Sequence, residues 1–291
     1  MRIRLAPATA ALFALTVAQA QASDHDPNSG APLPPSTKHQ TTSPITDRFY
    51  VRGTYYAPHV TTLIQVNPHN APAGVFGTTL SAERNLGLES RLNQGDFEMM
   101  FRLGQRNKIR VNWLEVDRSA THQLAQTINF GEEQFLANSL LQSQIDWRIF
   151  TMTYTYSFIR NDRVELGTGL GVHLLEAEAQ TQVNATVNTQ FQRQDVSGAG
   201  AFPTIPVDFA FRISQRWSVS WRGQYFHAAI SNFDGWLADL HEDVQYRWKK
   251  NFAVGVGYSS TRAKLALSTG NFPGQFHVSV GGPEAFIRVS F

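Results

Sequence analysis

The sequence predicts an all-β protein: an antiparallel transmembrane β-barrel of about ten strands, with eight or twelve as alternatives, and a lumen filled by side chains. Three observations lead there. Apolar and polar residues alternate with a period of two along most of the chain beyond residue 47. The less apolar face of that alternation is rich in glycine, with isolated Arg, Glu and Asp between the glycines. The chain begins with a segment that reads as an export signal and ends in an alternating strand on Phe291.

Residues 1–22 carry the signal pattern. Arg2 and Arg4 precede an apolar run from Leu5 to Val17, and Ala18-Gln19-Ala20 and Ala20-Gln21-Ala22 offer small-x-small cleavage sites. The run is shorter than the roughly 20 residues a membrane-spanning helix needs. Of 25 Lys+Arg and 23 Asp+Glu in the whole chain, cleavage removes Arg2 and Arg4 and leaves a net charge near zero. That balance gives no electrostatic case for nucleic-acid binding. The chain has no Cys, which suits an exported protein held together without disulfides. Residues 23–46 hold Pro27, Pro32, Pro34, Pro35 and Pro44 among Ser, Thr, Gly and Asn. They are expected to form a disordered periplasmic segment, and the barrel is expected over 47–291.

Within the barrel the clearest strand is RVELGTGLGVHLL. Val164, Leu166, Leu170, Val172 and Leu174 share one face, and Glu165, Gly167, Gly169, Gly171 and His173 share the other. MTYTYSF, PVDFAFRIS, HEDVQYRW and FAVGVGY repeat the pattern, as do DFEMMFRL and IRVNW. A soluble sandwich buries the apolar face, whereas a membrane barrel turns it to lipid and keeps polar and small residues inside. Repeated Gly weakens a solvated strand but suits a narrow lumen. The apolar face also ends in Tyr, Trp and Phe, as interfacial girdles do. The outward band therefore includes Trp113, Tyr154, Tyr156, Phe158, Phe209, Phe211, Trp221, Tyr246 and Trp248.

Tight periplasmic turns are expected at QRNK (105–108), RNDR (160–163), SQRW (214–217) and WKKN (248–251). The longer polar segments, roughly 67–95, 118–140, 177–204, 229–239 and 268–283, are expected as extracellular loops. GTTLSAERNLGLESR reads either as a further strand-pair member or as a loop folded over or into the mouth.

With the apolar faces outward, a lumen charge network is expected from Arg52, Glu98, Arg102, Arg110, Glu165, Asp208, Arg212, Arg222, His241, Asp243, Arg247 and Arg288, with His173 on the same parity. Unpaired charges in a confined lumen are costly, so acids and bases from different strands should pair. The expectation is a plugged barrel.

The closing strand AFIRVSF places Ile287, Val289 and Phe291 on one face. From about Asp47 to Phe291 the chain resembles the outer-membrane β-barrel proteins of Gram-negative bacteria, small OmpA- or OmpW-like barrels among them. The resemblance implies contacts with outer-membrane lipid and lipopolysaccharide. It also implies handling by periplasmic chaperones and the barrel-assembly machinery, with Ile287, Val289 and Phe291 as the assembly signal. Val289 departs from the pattern, since an aromatic is common there. A non-catalytic structural or surface-interaction role follows by analogy of fold. A narrow channel for small or hydrophobic molecules, and a lipid-modifying or proteolytic enzyme, are the alternatives.

Two enzyme-like patterns are weak. Asp239-x-His241 is superficially similar to the Asp-x-His pair of omptin proteases, with Glu115 or Asp117 as acidic counterpart, but no clean match to the omptin Asp-x-Asp element accompanies it. His227, Ser231 and Asn232 lie near the expected outer rim; four residues of extended strand span about 13 Å, too far for a base to serve a Ser nucleophile. No metal or cofactor motif is present: the nine His are scattered, and the glycine runs lack the helix that a phosphate loop requires.

Overall fold

The computed structural model describes residues 44–68, 76–183, 192–230, 233–267 and 274–291. Its elements are β1 (Phe49–Tyr56), β2 (His59–Val66), β3 (Leu80–Ser81), a one-turn helix α1 (Ala82–Asn85), β4 (Gln94–Leu103), β5 (Asn107–Gln123), β6 (Ile128–Phe130), β7 (Glu133–Phe135), β8 (Leu140–Arg160), β9 (Val164–Val183), β10 (Gln192–Arg212), β11 (Trp217–Ile230), β12 (Phe233–Lys249), β13 (Phe252–Leu267) and β14 (Gly274–Ser290). β1 and β2 act as a single wall strand. Both pair with β14 in one register, Tyr56 opposite Glu284 and His59 opposite Gly281. Counted so, the wall is a closed ten-stranded antiparallel barrel, with β1 joined to β4 on one side and to β14 on the other.

The four tight turns fall at 104–106, 161–163, 213–216 and 250–251, at the end of the barrel that also holds the start of β1 and the end of β14. Gly104 opens the first with φ of 65°, a left-handed conformation that glycine adopts without steric cost.

β8 shows how one strand serves two solvents. From Leu140 to Phe158 its odd residues face inward and its even residues outward, and a bulge between Ser157 and Ile159 ends the alternation. In the half nearer the tight turns, Thr151, Thr153, Thr155 and Ser157 are buried inside while Met152, Tyr154, Tyr156 and Phe158 are exposed outside. In the other half the polarity inverts. Leu141, Ile145, Trp147 and Ile149 are buried inside, and Gln142, Gln144 and Arg148 are exposed outside. The same inversion follows Leu174 on β9, where Glu176 and Glu178 replace the apolar outer residues, and Trp113 on β5, where Glu115 and Asp117 do. The lipid-facing run from Phe150 to Phe158 is roughly nine residues, the length a tilted strand needs to cross a bilayer. The rest of each strand rises beyond the lipid as an ordinary barrel with an apolar core.

This inversion yields a direct test. Met152→Arg, in the lipid band, is expected to destabilise the barrel by about 2–4 kcal/mol. Gln142→Arg, on the same face of the same strand above the band, is expected to change stability by no more than about 0.5 kcal/mol. Urea titration in phospholipid vesicles measures both.

Among the described residues the expected extracellular loops 177–204, 229–239 and 268–283 are thus largely strand, and 118–140 is strand at both ends. β5 runs to Gln123, β8 starts at Leu140, β9 runs to Val183, β10 starts at Gln192, β12 starts at Phe233 and β14 starts at Gly274. Their outer faces are polar because they meet water, and polar faces read as loops when strands are sought by lipid-facing apolar residues.

GTTLSAERNLGLESR does both things considered for it. Leu80 and Ser81 pair with Ile64 and Leu63 of β2, and the remainder turns through α1 into the barrel mouth. Leu80, Leu86, Leu88 and Leu92 join one apolar cluster with Trp147, Phe202, Val278 and Val280. The β6–β7 hairpin covers the same core with Ile128, Phe130 and Phe135. Arg118 pins the inserted segment. Its guanidinium donates to Glu83 at 2.8 Å and to Thr62 at 2.7 Å, while Glu83 also accepts from the Thr62 amide at 3.0 Å.

The glycines of β9 have a local cause. A Cβ on Gly169 would collide with the Tyr154 carbonyl of adjacent β8, and one on Gly167 would lie 2.9 Å from the Tyr156 carbonyl. Neighbouring backbone, rather than the opposite wall, excludes a side chain there.

Residues 1–43, which include the expected signal and most of the Pro-rich segment, lie outside the described residues. Pro44 to Thr46, assigned from sequence to that segment, form a turn, and Ile45 is buried.

Candidate functional site

The lumen within the lipid band is occupied from end to end by charged side chains. At the tight-turn end, Asp47 enters the opening. Its carboxylate accepts from Arg247 and Arg288 at 2.6 Å each and from the Ser290 hydroxyl at 2.8 Å. Arg102 donates to the Asp47 carbonyl at 3.1 Å, and Arg160 to the Ile45 carbonyl at 3.0 Å. The lead-in to β1 is therefore a stopper tied to four strands.

Above it the pairs run in a chain across the barrel. Arg102 holds Glu165 through two bonds of 2.6 and 2.9 Å. Lys108 lies 3.6 Å from Glu165 and 3.1 Å from Asp208. Arg110 holds Asp208 through two bonds of 3.2 and 2.9 Å and approaches Glu98 at 3.8 Å. Glu98 also accepts from Arg222 and, at 2.6 Å, from the Tyr50 hydroxyl. On the other side Arg52 bridges Asp243 and Glu284 and lies over the Phe286 ring at 3.6 Å. β13 contributes room instead of charge: a Cβ on Gly257 would lie 2.9 Å from the Glu284 carboxylate.

Alternating inward positions on neighbouring strands produce this grid. Arg52 lies opposite Glu98 on one side and Arg288 on the other, and Asp208 lies opposite Arg222. Long guanidinium side chains then reach past their direct neighbours to acids further round. Planar two-point contacts favour Arg over Lys for this.

A third level holds Asp239, whose carboxylate is 3.3 Å from His241 and accepts from Thr261 at 2.6 Å. It sits beneath the apolar core, since Leu237, the next inward residue toward the mouth, belongs to that core. Among the described residues the lumen holds small spaces. One of about 40 Å³ lies among Arg102, Lys108, Glu165, Asp208 and Arg222. Another, of about 20 Å³, lies among Glu98, Arg110, Thr151, Asp239 and His241. Each has room for water and not for a solute.

Of the residues expected in the network, Arg52, Glu98, Arg102, Arg110, Glu165, Asp208, Arg222, Asp243, Arg247 and Arg288 lie in ion pairs within the lumen. His241 pairs with Asp239 at the level above. His173 is buried inward. Arg212 departs from the expectation: it points inward near the tight-turn end, makes no ion pair among the described residues, and buries its Nη1 without a hydrogen-bond partner. Asp47, Lys108 and Glu284 belong to the network and were not anticipated. Lys108 and Glu284 share parity with Arg110 and Arg288, and that signal would have found them. Asp47 precedes the first strand, where parity says nothing.

The enzyme-like patterns do not assemble. Glu115 and Asp117 face the outer wall, Glu115 bonded to Arg148 at 2.6 Å, whereas Asp239 and His241 face the lumen, so the sheet separates them. His227 is exposed on the outer face, 3.9 Å from Asp234; Ser231 and Asn232 lie outside the described residues. Among the described residues no three His, Asp or Glu side chains are placed to hold a metal ion. Ile287, Val289 and Phe291 face outward and are exposed. The Phe291 amide donates to the Phe49 carbonyl at 2.8 Å, and the two rings stack at 5.7 Å.

No protein-family model matches the chain, and no curated protein matches it in sequence. Solved structures do match in fold. The outer membrane protease OmpT of Escherichia coli superimposes with a TM-score of 0.52 at 9% identity, over 84% of this chain and 96% of that one. The attachment invasion locus protein Ail of Yersinia pestis gives 0.33 at 7% identity, over 83% and 99%. The toluene transporter TodX of Pseudomonas putida gives 0.32 at 8%, over 84% and 90%. The fold is that of outer-membrane β-barrels, which points to the bacterial outer membrane.

Proposed function

We propose that this outer-membrane barrel is closed to solutes and acts without catalysis, as a structural or surface-interaction protein presenting its raised extracellular half. The observation that carries this reading is the double closure of the interior. Ion pairs among residues from β1, β4, β5, β9, β10, β11, β12 and β14 fill the lipid-band lumen. The apolar core, with the α1 segment and the β6–β7 hairpin, fills the interior above it. A solute would have to displace both. The Asp239–His241 pair lies under that core, out of reach of a peptide or lipid substrate.

Assembly fits the same reading. Ile287, Val289 and Phe291 lie free on the lipid face of the strand that closes the barrel, where the assembly machinery could read them. Outer-membrane lipid and lipopolysaccharide are the partners the outward band and the polar wall above it would meet.

The test is single-channel recording of refolded protein in a planar bilayer, after folding is verified by the mobility shift of unboiled samples. Folded protein is expected to leave the membrane silent. Steady conductance steps that change in Arg222→Ala or Asp243→Ala would make the lumen a pathway and overturn the reading.

A further inference from the structure

The tight-turn end of the barrel is strongly and one-sidedly charged. Exposed Arg48 precedes β1, Arg106 sits between β4 and β5, Arg163 between β8 and β9, Arg216 between β10 and β11, Lys249 at the end of β12, and Lys250 between β12 and β13. Every tight turn, and the entry to the first strand, thus presents a cation, about one for each two strands round the ring. None of the six makes a salt bridge among the described residues. Half-buried Arg160 and Arg212 add two more cations just inside. Two aspartates lie at this level among the described residues: Asp47 is taken by Arg247 and Arg288, and Asp162 is the other, exposed in its turn.

The cations sit at the height of the lipid headgroups. Trp217 follows Arg216 and Trp248 precedes Lys249, both on the exposed lipid face. The Arg216 guanidinium donates to the Tyr246 hydroxyl at 2.9 Å, and that of Arg106 to the Phe158 carbonyl at 3.1 Å. These groups lie against the strand ends and do not extend away from the membrane. Aromatic girdles mark the headgroup level, and clustered Lys and Arg beside one attract anionic lipid.

We infer that the tight-turn rim is a binding ring for anionic phospholipid headgroups of the inner, periplasmic leaflet. Charge complementarity selects this occupant. An anionic glycerophospholipid has an acyl chain for the girdle and a phosphate for the cations, whereas a zwitterionic lipid brings its own cation to compete.

The test is native mass spectrometry of the folded full chain, released from detergent with equal amounts of phosphatidylglycerol and phosphatidylethanolamine. Retained lipid is expected to be mainly phosphatidylglycerol. The preference should fall by roughly fivefold for each cation removed in Arg216→Gln, Lys249→Gln and Lys250→Gln, and it should fall with added salt. Arg148→Gln, on the outer wall above the lipid band, should fold and keep the full preference. Equal retention of the two lipids, or a triple variant that folds and keeps its preference, overturns the inference. So does pelleting with isolated peptidoglycan in the absence of any lipid preference, which would assign the ring to the cell wall. Single variants, checked by the unboiled gel shift, keep the test decisive if the triple variant does not fold.

Discussion

Replacing Glu98 with Gln is expected to cost the folded barrel about 3–5 kcal/mol, the penalty for breaking a buried ion pair from one side. Gln has nearly the same shape, so the loss measures charge. Glu98 is 3% exposed and accepts from Arg222 and Tyr50 while attracting Arg110. Arg110 keeps Asp208 in the variant, whereas Arg222 has no other salt bridge among the described residues and is left charged inside a low-dielectric wall. The double variant Glu98→Gln/Arg222→Gln should therefore recover more than half of the loss, because both charges leave together. Urea titration of vesicle-inserted protein, read by tryptophan fluorescence, gives the cycle. A single-variant loss below about 1 kcal/mol would mean that water, and not Glu98, compensates Arg222.

The second large effect is expected in the other solvent regime. Trp147→Ala should cost about 3–5 kcal/mol through lost burial and the cavity left behind. Trp147 is 1% exposed and packs in the cluster that holds the inserted segment and the β6–β7 hairpin. Tyr154→Ala, on the lipid face of the same strand and 44% exposed, leaves no internal cavity and should cost less than half as much. The two variants should also fail differently. Loss of Trp147 is expected to open the hairpin at 124–139 to protease while the lipid band stays folded by the gel-shift criterion. Equal costs in the two variants would show that the raised half has no core of its own.

The alternation of β8, β9, β12 and β13 was legible because a strand's side chains point to opposite faces with a period of two, and lipid demands apolar residues on one of them. The same rule gave the inward parity of the ten charged residues that the structure holds in ion pairs, and the four tight turns overlap the expected breaks. The rule misjudged EAEAQTQV and FHVSVGG, which fall in segments expected as loops. In those stretches parity is unbroken but water replaces lipid outside, so the apolar residues turn out to be the inner ones. It also had no grip on Arg118 and Glu83, whose pairing needs an inserted segment, or on Asp47, which lies before the first strand.

Sequence by itself determined the class of fold, the inward or outward sense of residues within the lipid band, and the closing strand, because these follow from backbone geometry and the preference of side chains for lipid or water. Tertiary structure alone decided which acid meets which base, where lipid gives way to water along each strand, and what fills the mouth. Those outcomes depend on the stagger of strands around a closed barrel and on segments that fold back into it, and a local period in the chain records neither.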